Sequence, residues 1–264
     1  MILCRLNTPR MPSVPISLSC PMKIRRIHIP ETDSTNSYIQ QLGSPGIDEI
    51  LTVTTDFQTA GRGQGSNHWE SERGKNLLCS IKVCPTEIKP TRQFLLSEAG
   101  ALAVAEALDD YTEGITLKWP NDIYWHDKKI CGTLIETTMA TGRLRTCVFG
   151  IGVNVNQQSF HSDAPNPVSL WQIRGCETDL EEVMRKILLS LQKYLFMLCR
   201  GEEETVSTRY HSRLYRGKGF FPYRDAEGEF MAEIVGVADE GPITLRDMNG
   251  RLRTYAFKEV QFIV

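Results

Sequence analysis

The chain has 264 residues, enough for one large domain or a domain carrying a small module, since single domains run to about 100–200 residues. Lys and Arg number 30 against 32 Asp and Glu, a formal net charge of −2, which excludes the overall basic excess of a general nucleic-acid binder. Hydrophobic residues at 41% and charged residues at 23% exclude disordered, collagen-like and fibrous chains, and no apolar run approaches the roughly 18–20 residues that would span a bilayer.

Residues 1–22 hold Pro9, Pro12, Pro15 and Pro21 with little periodicity and read as a loose extension, with Met22 as an alternative start of translation. The apolar part from Val14 to Leu18 is too short and proline-broken for a secretory signal. Lys23 to Ile29 reads as a strand. Thr32-Asp33-Ser34-Thr35-Asn36 then offers capping side chains ahead of Tyr38, Ile39 and Leu42, with Gly43 where a C′ glycine belongs. Leu51 to Phe57 and Leu77 to Val83 read as strands. Gln93 to Leu108 reads as a helix whose Leu96, Ala99, Ala103 and Ala107 form a small-residue face able to lie close on a sheet.

Four short strands follow, Ile115 to Lys118, Asp122 to Trp125, Lys129 to Glu136 and Thr146 to Asn154, joined by turns too brief for crossover helices. An antiparallel meander is expected. Leu180 to Leu198 carries a 3.6-residue apolar stripe behind a Thr178/Glu181 capping box and ahead of Gly201, and Glu203 to Leu214 reads as a further helix. From Lys218 the pattern is β throughout, with turns at Asp225 to Gly228, Asp239 to Pro242 and Asn249-Gly250. The expected organisation is an extension at 1–22, an α+β domain at 23–214 and a small all-β barrel at 215–264. No internal repeat or low-complexity tract interrupts it. The eight cysteines are scattered without a C-x-x-C pair, which suits buried free thiols in a reducing cytoplasm.

Five segments hold residues suited to chemistry. Gln58-Thr59-Ala60-Gly61-Arg62-Gly63-Gln64-Gly65 combines alternate glycines, whose N–H groups allow close approach of an anion, with a fixed cationic fork; no Walker or dinucleotide fingerprint is complete. Lys118-Trp119-Pro120-Asn121-Asp122 gathers a cation, an amide and a carboxylate on a stiff turn. In Asp127-Lys128-Lys129-Ile130-Cys131-Gly132, strand alternation sends one lysine inward. Along Phe149 to Asn156 the same alternation puts Phe149, Ile151, Val153 and Val155 on one face and Gly150, Gly152, Asn154 and Asn156 on the other. Two glycines in phase suggest close approach of a ligand or another backbone. The fifth segment is Ser34-Thr35-Asn36. Each has an ordinary structural explanation when taken alone: a plain connection, a self-bonded turn, a surface lysine or a helix cap.

Together and in this order the five resemble the biotin protein ligases, over about Ile24 to Val264. The resemblance implies a mixed, largely antiparallel sheet with helices packed on it, of the class II synthetase-like kind, plus an SH3-like C-terminal barrel. It also implies a two-step reaction in which biotin and Mg-ATP give biotinyl-5′-adenylate and pyrophosphate, after which a lysine of a biotin carboxyl carrier domain of a carboxylase takes the biotinyl group. By resemblance, Ser34, Thr35, Asn36, Gln58, Arg62, Gly63, Gln64, Lys129 and Gly132 would hold biotin. Arg62, Gly63, Gln64, Trp69, Asn121, Asp122 and Asn154 would hold the nucleotide, with Asp122 as the candidate Mg2+ ligand and Lys129 and Arg62 as the catalytic cations. The chemistry agrees, because joining a carboxylate to a phosphate needs positive charge and N–H donors aimed at both.

Three features depart from the family pattern. Gln64 stands where arginine is common and Gly65-Ser66 where Arg-Gly or similar is common, lowering the charge of the loop. No helix-turn-helix domain is expected before Ile24, and with it no repressor function. Arg251, Arg253 and Lys258 are the candidates for a barrel cation reaching the adenylate. The expected partners are biotin, ATP and the carrier domain, with no membrane and no DNA; the oligomeric state is left open, a homodimer included. The alternatives are a lipoate or octanoate ligase or transferase of related core, and a non-catalytic nucleotide-binding module.

Overall fold

A computed structural model describes residues 22–63, 65, 67–161 and 166–263. Seven strands form one sheet: β1 (Lys23–Thr32), β2 (Glu49–Gln58), β3 (Leu77–Val83), β4 (Ile115–Lys118), β5 (Asp122–Trp125), β6 (Lys128–Ala140) and β7 (Arg143–Val153), in the order β1-β2-β3-β7-β6-β5-β4. The β4 to β7 strands pair antiparallel, as the short turns require. The first pair differs: β1 lies parallel to β2, with Ile27 opposite Val53, because α1 (Thr35–Gln41) carries the chain back across the sheet before β2 begins.

The two faces of the sheet are used differently. α2 (Phe94–Asp109) lies on one face, where Phe149 comes so close that a Cβ on Gly100 would sit 2.8 Å from its ring. Behind α2 packs the amphipathic α4 (Leu180–Cys199), whose Val183, Met184, Ile187, Leu188 and Leu191 are buried in the main core. Across the sheet, α1 contributes Ile39 to a separate small core with Leu51, Val53 and Val148. The rest of that second face is open and polar.

Two caps differ from the sequence expectation. The Thr178 backbone N–H and carbonyl are both taken by the Asn156 side chain, each at 2.9 Å, so the cap of α4 falls to Asp179, whose Oδ1 accepts from the Glu181 N–H. A capping box does form, at Ser169 and Gln172 of the short α3 (Leu170–Arg174), which the sequence pattern did not mark. Gly43 does not close α1; Leu42 is extended, and the buried Lys82 donates to the carbonyls of Ile39 and Leu42 at 3.2 and 2.8 Å.

α5 (Glu203–Ser212) leads to β8 (Phe221–Asp225), β9 (Gly228–Val237), β10 (Ile243–Asp247), β11 (Leu252–Tyr255) and β12 (Gln261–Phe262), an antiparallel sheet with β11 and β12 as its edges. This module is tied to the larger sheet by Trp119 Nε1 donating to the Gly241 carbonyl at 2.9 Å and by the Val237 N–H donating to His211 Nε2 at 3.0 Å. Near this junction, burial pushes the Glu98 carboxyl up to about 7, against a Ser207 hydrogen bond that lowers it, and Oε2 has no partner among the described residues. The folded state therefore keeps this proton to higher pH than the unfolded chain, so its contribution to stability is full at acid pH and lost as pH climbs through 7. Glu98→Gln is expected to be more stable than the wild type at pH 8 by about 1–3 kcal/mol, with the gap closing toward pH 5. Urea denaturation at the two pH values measures it.

Candidate functional site

A cleft of about 480 Å³ opens on the polar face of the sheet, a size ordinary for a small-molecule site. Two glycines set its floor. An added Cβ at Gly150 would lie 2.3 Å from Asn36 Oδ1, and at Gly152 2.5 Å from the Trp69 indole. The paired glycines thus admit two side chains of this chain, Asn36 and Trp69, that reach across the sheet.

At one end, Ser34, Thr35 and Asn36 are buried. None of them spends its side chain capping α1; Ser34 holds the N-cap position without a side-chain bond. Gln58 Oε1 accepts from the Thr35 N–H at 2.9 Å and from Thr35 Oγ1 at 3.2 Å. Ser80 Oγ lies 2.8 Å from Thr35 Oγ1 and 2.5 Å from Asn36 Oδ1. This compartment is neutral and polar, with fixed donors and acceptors.

The other end is cationic. Lys129 Nζ sits 2.7 Å from Asp122 Oδ1 and 5.8 Å from the Trp69 ring centroid; its neighbour Lys128 points to solvent. Lys118 stands over the Tyr124 and Phe262 rings at 5.1 Å each, and burial pulls its pKa down against the pull of Asp122. Back on the Asn36 side, Arg62 pairs with Glu136 at 3.1 Å, and the Gly63 N–H closes the glycine loop onto the Asn67 carbonyl at 2.7 Å. The C-terminal module supplies the far wall with Phe257, Lys258 and Phe262.

Ser34, Thr35, Asn36, Gln58, Arg62, Gly63, Trp69, Asn121, Asp122, Lys129 and Gly132 all line this one cleft. Gln64 lies outside the described residues. Asn154 is not among the lining residues: it is buried, its amide donates to the Val168 carbonyl at 3.1 Å, and its backbone N–H to Ile130. It clips the end of β7 to the following loop. The Asn121 side-chain amide is likewise spent, on the Thr133 carbonyl. Of the three basic candidates in the C-terminal module, Arg253 is bound by Asp225 and Asp247 at 3.2 Å each and Arg251 faces Glu227. Lys258 alone of the three lines the cleft, its Nζ lying 2.2 Å from where a Cβ on Gly65 would be.

Sequence reasoning missed Ser80 and Glu136, and it named Lys118 as a cation of the stiff turn without giving it a ligand. Ser80 carried a signal, a polar residue between apolar ones in a strand buried throughout. Glu136 carried one too, since Gly132, Leu134 and Glu136 share a face by alternation. Among the described residues, no three His, Cys, Asp or Glu side chains are grouped to hold a metal ion. Asp122, the candidate metal ligand, has its Oδ1 paired with Lys129.

A neutral, hydrogen-bonding compartment that opens into a cationic mouth suits an enzyme that handles a small acid with a polar head. The model of the Biotin/lipoate A/B protein ligase family matches residues 28–154. The chain is 31% identical over 248 residues to the bifunctional ligase/repressor BirA of Bacillus subtilis, covering 84% of this chain and 70% of that one. It is 26% identical over 232 residues to the biotin--[acetyl-CoA-carboxylase] ligase of Mycobacterium tuberculosis, covering 84% and 83%. The biotin protein ligase of Aquifex aeolicus, solved with biotin and ATP, superposes with a TM-score of 0.74 at 26% identity over 90% of this chain and 99% of that one. The chain belongs to the biotin/lipoate protein ligase family.

Proposed function

We propose that this chain is an ATP-dependent biotin–protein ligase. A biotin carboxylate oxygen attacks the α-phosphorus of ATP and pyrophosphate leaves. A lysine amine of a carboxylase carrier domain then attacks the acyl carbon of the adenylate, and AMP leaves. The observation that carries this reading is the single cleft: Ser34, Thr35, Asn36 and Gln58 offer hydrogen bonds to a neutral head group at one end, with Arg62 beside them on Glu136, and Lys129 and Lys118 bring positive charge at the other. Two anions repel, and fixed cations and N–H groups offset that repulsion most strongly as charge builds in the transition state. Lys129 is assigned to the carboxylate and α-phosphate, Arg62 and the Gly63 backbone to the adenylate, and Trp69, Lys118 and Lys258 to the nucleotide side. Asp122 holds Lys129 in place. Magnesium is assigned to the nucleotide substrate, since this ion keeps several waters and is commonly held through phosphates. A carrier domain as acceptor and a cytoplasmic location complete the proposal; no helix among the described residues is long and apolar enough to cross a membrane.

Pyrophosphate release with ATP, magnesium and biotin tests the reaction. Biotin-dependent release is expected, and none from folded protein overturns the reading. Lipoate or octanoate supporting release better than biotin would move the assignment within the family. Biotin is favoured because the half-buried Gln58 Nε2, whose oxygen is already taken by Thr35, gains no partner from a head group without hydrogen bonds. Arg62→Ala is expected to speed adenylate dissociation by about tenfold, the scale of one charge-assisted contact at a half-exposed position. A wild-type off-rate for the variant would leave Arg62 without that role.

A further inference from the structure

Glu136 lies on β6 outside the cleft lining, yet two residues of the site, Asn36 and Arg62, converge on it together with Gln40 of α1. Its Oε2 accepts from Asn36 Nδ2 at 2.9 Å and from Gln40 Nε2 at 2.8 Å, while Oε1 takes Arg62 at 3.1 Å. An ionised carboxylate has only acceptors, so the nitrogen of the Asn36 amide must face it. The Asn36 oxygen is thereby turned toward Ser80 Oγ and Gly150 on the floor of the cleft. Gln58 is oriented in the complementary sense: its oxygen is occupied by Thr35, and Nε2 lies toward the glycine loop, 3.1 Å from where a Cβ on Gly61 would be. Beside the Ser34 and Thr35 hydroxyls, the two amides consequently present one acceptor, with a second lone pair left beyond its bond to Ser80, and one donor in fixed places, the counterpart of an amide or urea edge carrying an N–H beside a C=O.

We propose that Glu136 is a positioning residue that writes this hydrogen-bond polarity, by locking the Asn36 amide with its oxygen toward the ligand, and that it holds Arg62 from the same carboxylate. The role rests on the proposed biotin chemistry, in which the head group is a cyclic urea. A glutamine at position 136 offers a donor as well as an acceptor, so the Asn36 amide loses its reason to keep one orientation. An aspartate at position 36 sets two carboxylates against each other. Combined, the two changes restore the pairing with roles exchanged: the amide introduced on β6 donates to one oxygen of the carboxylate introduced on α1, whose other oxygen is left facing the ligand.

The experiment measures steady-state pyrophosphate release and melting temperature for wild type, Glu136→Gln, Asn36→Asp and the double variant. Each single variant is expected to raise the KM for biotin by about tenfold, the scale of one misdirected buried hydrogen bond, with a much smaller change in kcat. The double variant is expected to return to within about threefold of the wild-type KM, since the contact is remade. Single variants with a wild-type KM, or a double variant whose loss is the product of the two, would overturn the role. So would losses that follow melting temperature, which a merely structural residue gives. Wild-type turnover separates the failures: without biotin turnover the proposed function falls and this role with it, whereas turnover with unresponsive variants removes only this role.

Discussion

Lys129→Ala is expected to lower the single-turnover rate of adenylate formation by about 10²–10³-fold while leaving the fold intact, the range observed when one donor to a developing anion is removed. Lys129 is three-quarters enclosed, and its ammonium is fixed by Asp122 at 2.7 Å and by the Trp69 face. A group so held loses little on meeting the transition state, because its orientation is already set before the substrates arrive. Lys118 and Arg62 remain in the variant and sustain part of the binding, so the loss should fall on the rate more than on biotin affinity. Lys129→Arg should recover part of the rate, because the charge returns in a different shape. Rapid-quench measurement of adenylate checks this, and a wild-type rate for Lys129→Ala would remove the lysine from the chemistry.

Gly150→Ala is expected to raise the Kd for biotin by more than about tenfold, because no room exists for the methyl group. The added carbon would stand 2.3 Å from Asn36 Oδ1. Asn36 cannot step aside cheaply, being held by Ser80 on one side and by Glu136 on the other. The methyl group must therefore displace the amide or push β7 away from β3, to which Gly150 is paired opposite Ser80. Calorimetric titration with biotin measures the loss, and unchanged affinity would show that the cleft floor yields. Gly152→Ala meets an indole ring in the same way, but Trp69 lies on a loop, so its effect should be the smaller of the two.

Much of the fold was legible from local patterns. The α4 stripe, the period-two alternation of Phe149 to Val155 and the turn residues of the C-terminal module each record which face of an element is buried, and local periodicity is what a linear chain displays. The glycines at 150 and 152 were legible as a place of close approach. What approaches them was not, because Asn36 and Trp69 are more than 80 positions away along the chain. The parallel pairing of β1 and β2 was equally hidden: a strand's pairing direction depends on where α1 delivers the chain, and the strand's own residues do not encode it. The caps at Thr178 and Gly43 failed for a related reason, since the Asn156 amide, from the loop after β7, and the Lys82 ammonium, from β3, took backbone groups at those ends.

By itself, then, the amino-acid sequence determined the types of element, the phase of each amphipathic face, the small net charge and most of the polar residues that line the cleft. The tertiary structure alone decided which of them meet. It drew Lys129 to Asp122, withdrew Asn154 and the Asn121 amide into structural bonds, selected Lys258 from three basic candidates and placed Glu136 behind Asn36. Hydrogen bonds and ion pairs act over a few ångströms, and a neighbourhood of that size in this molecule is filled from strands, helices and loops far apart in the chain.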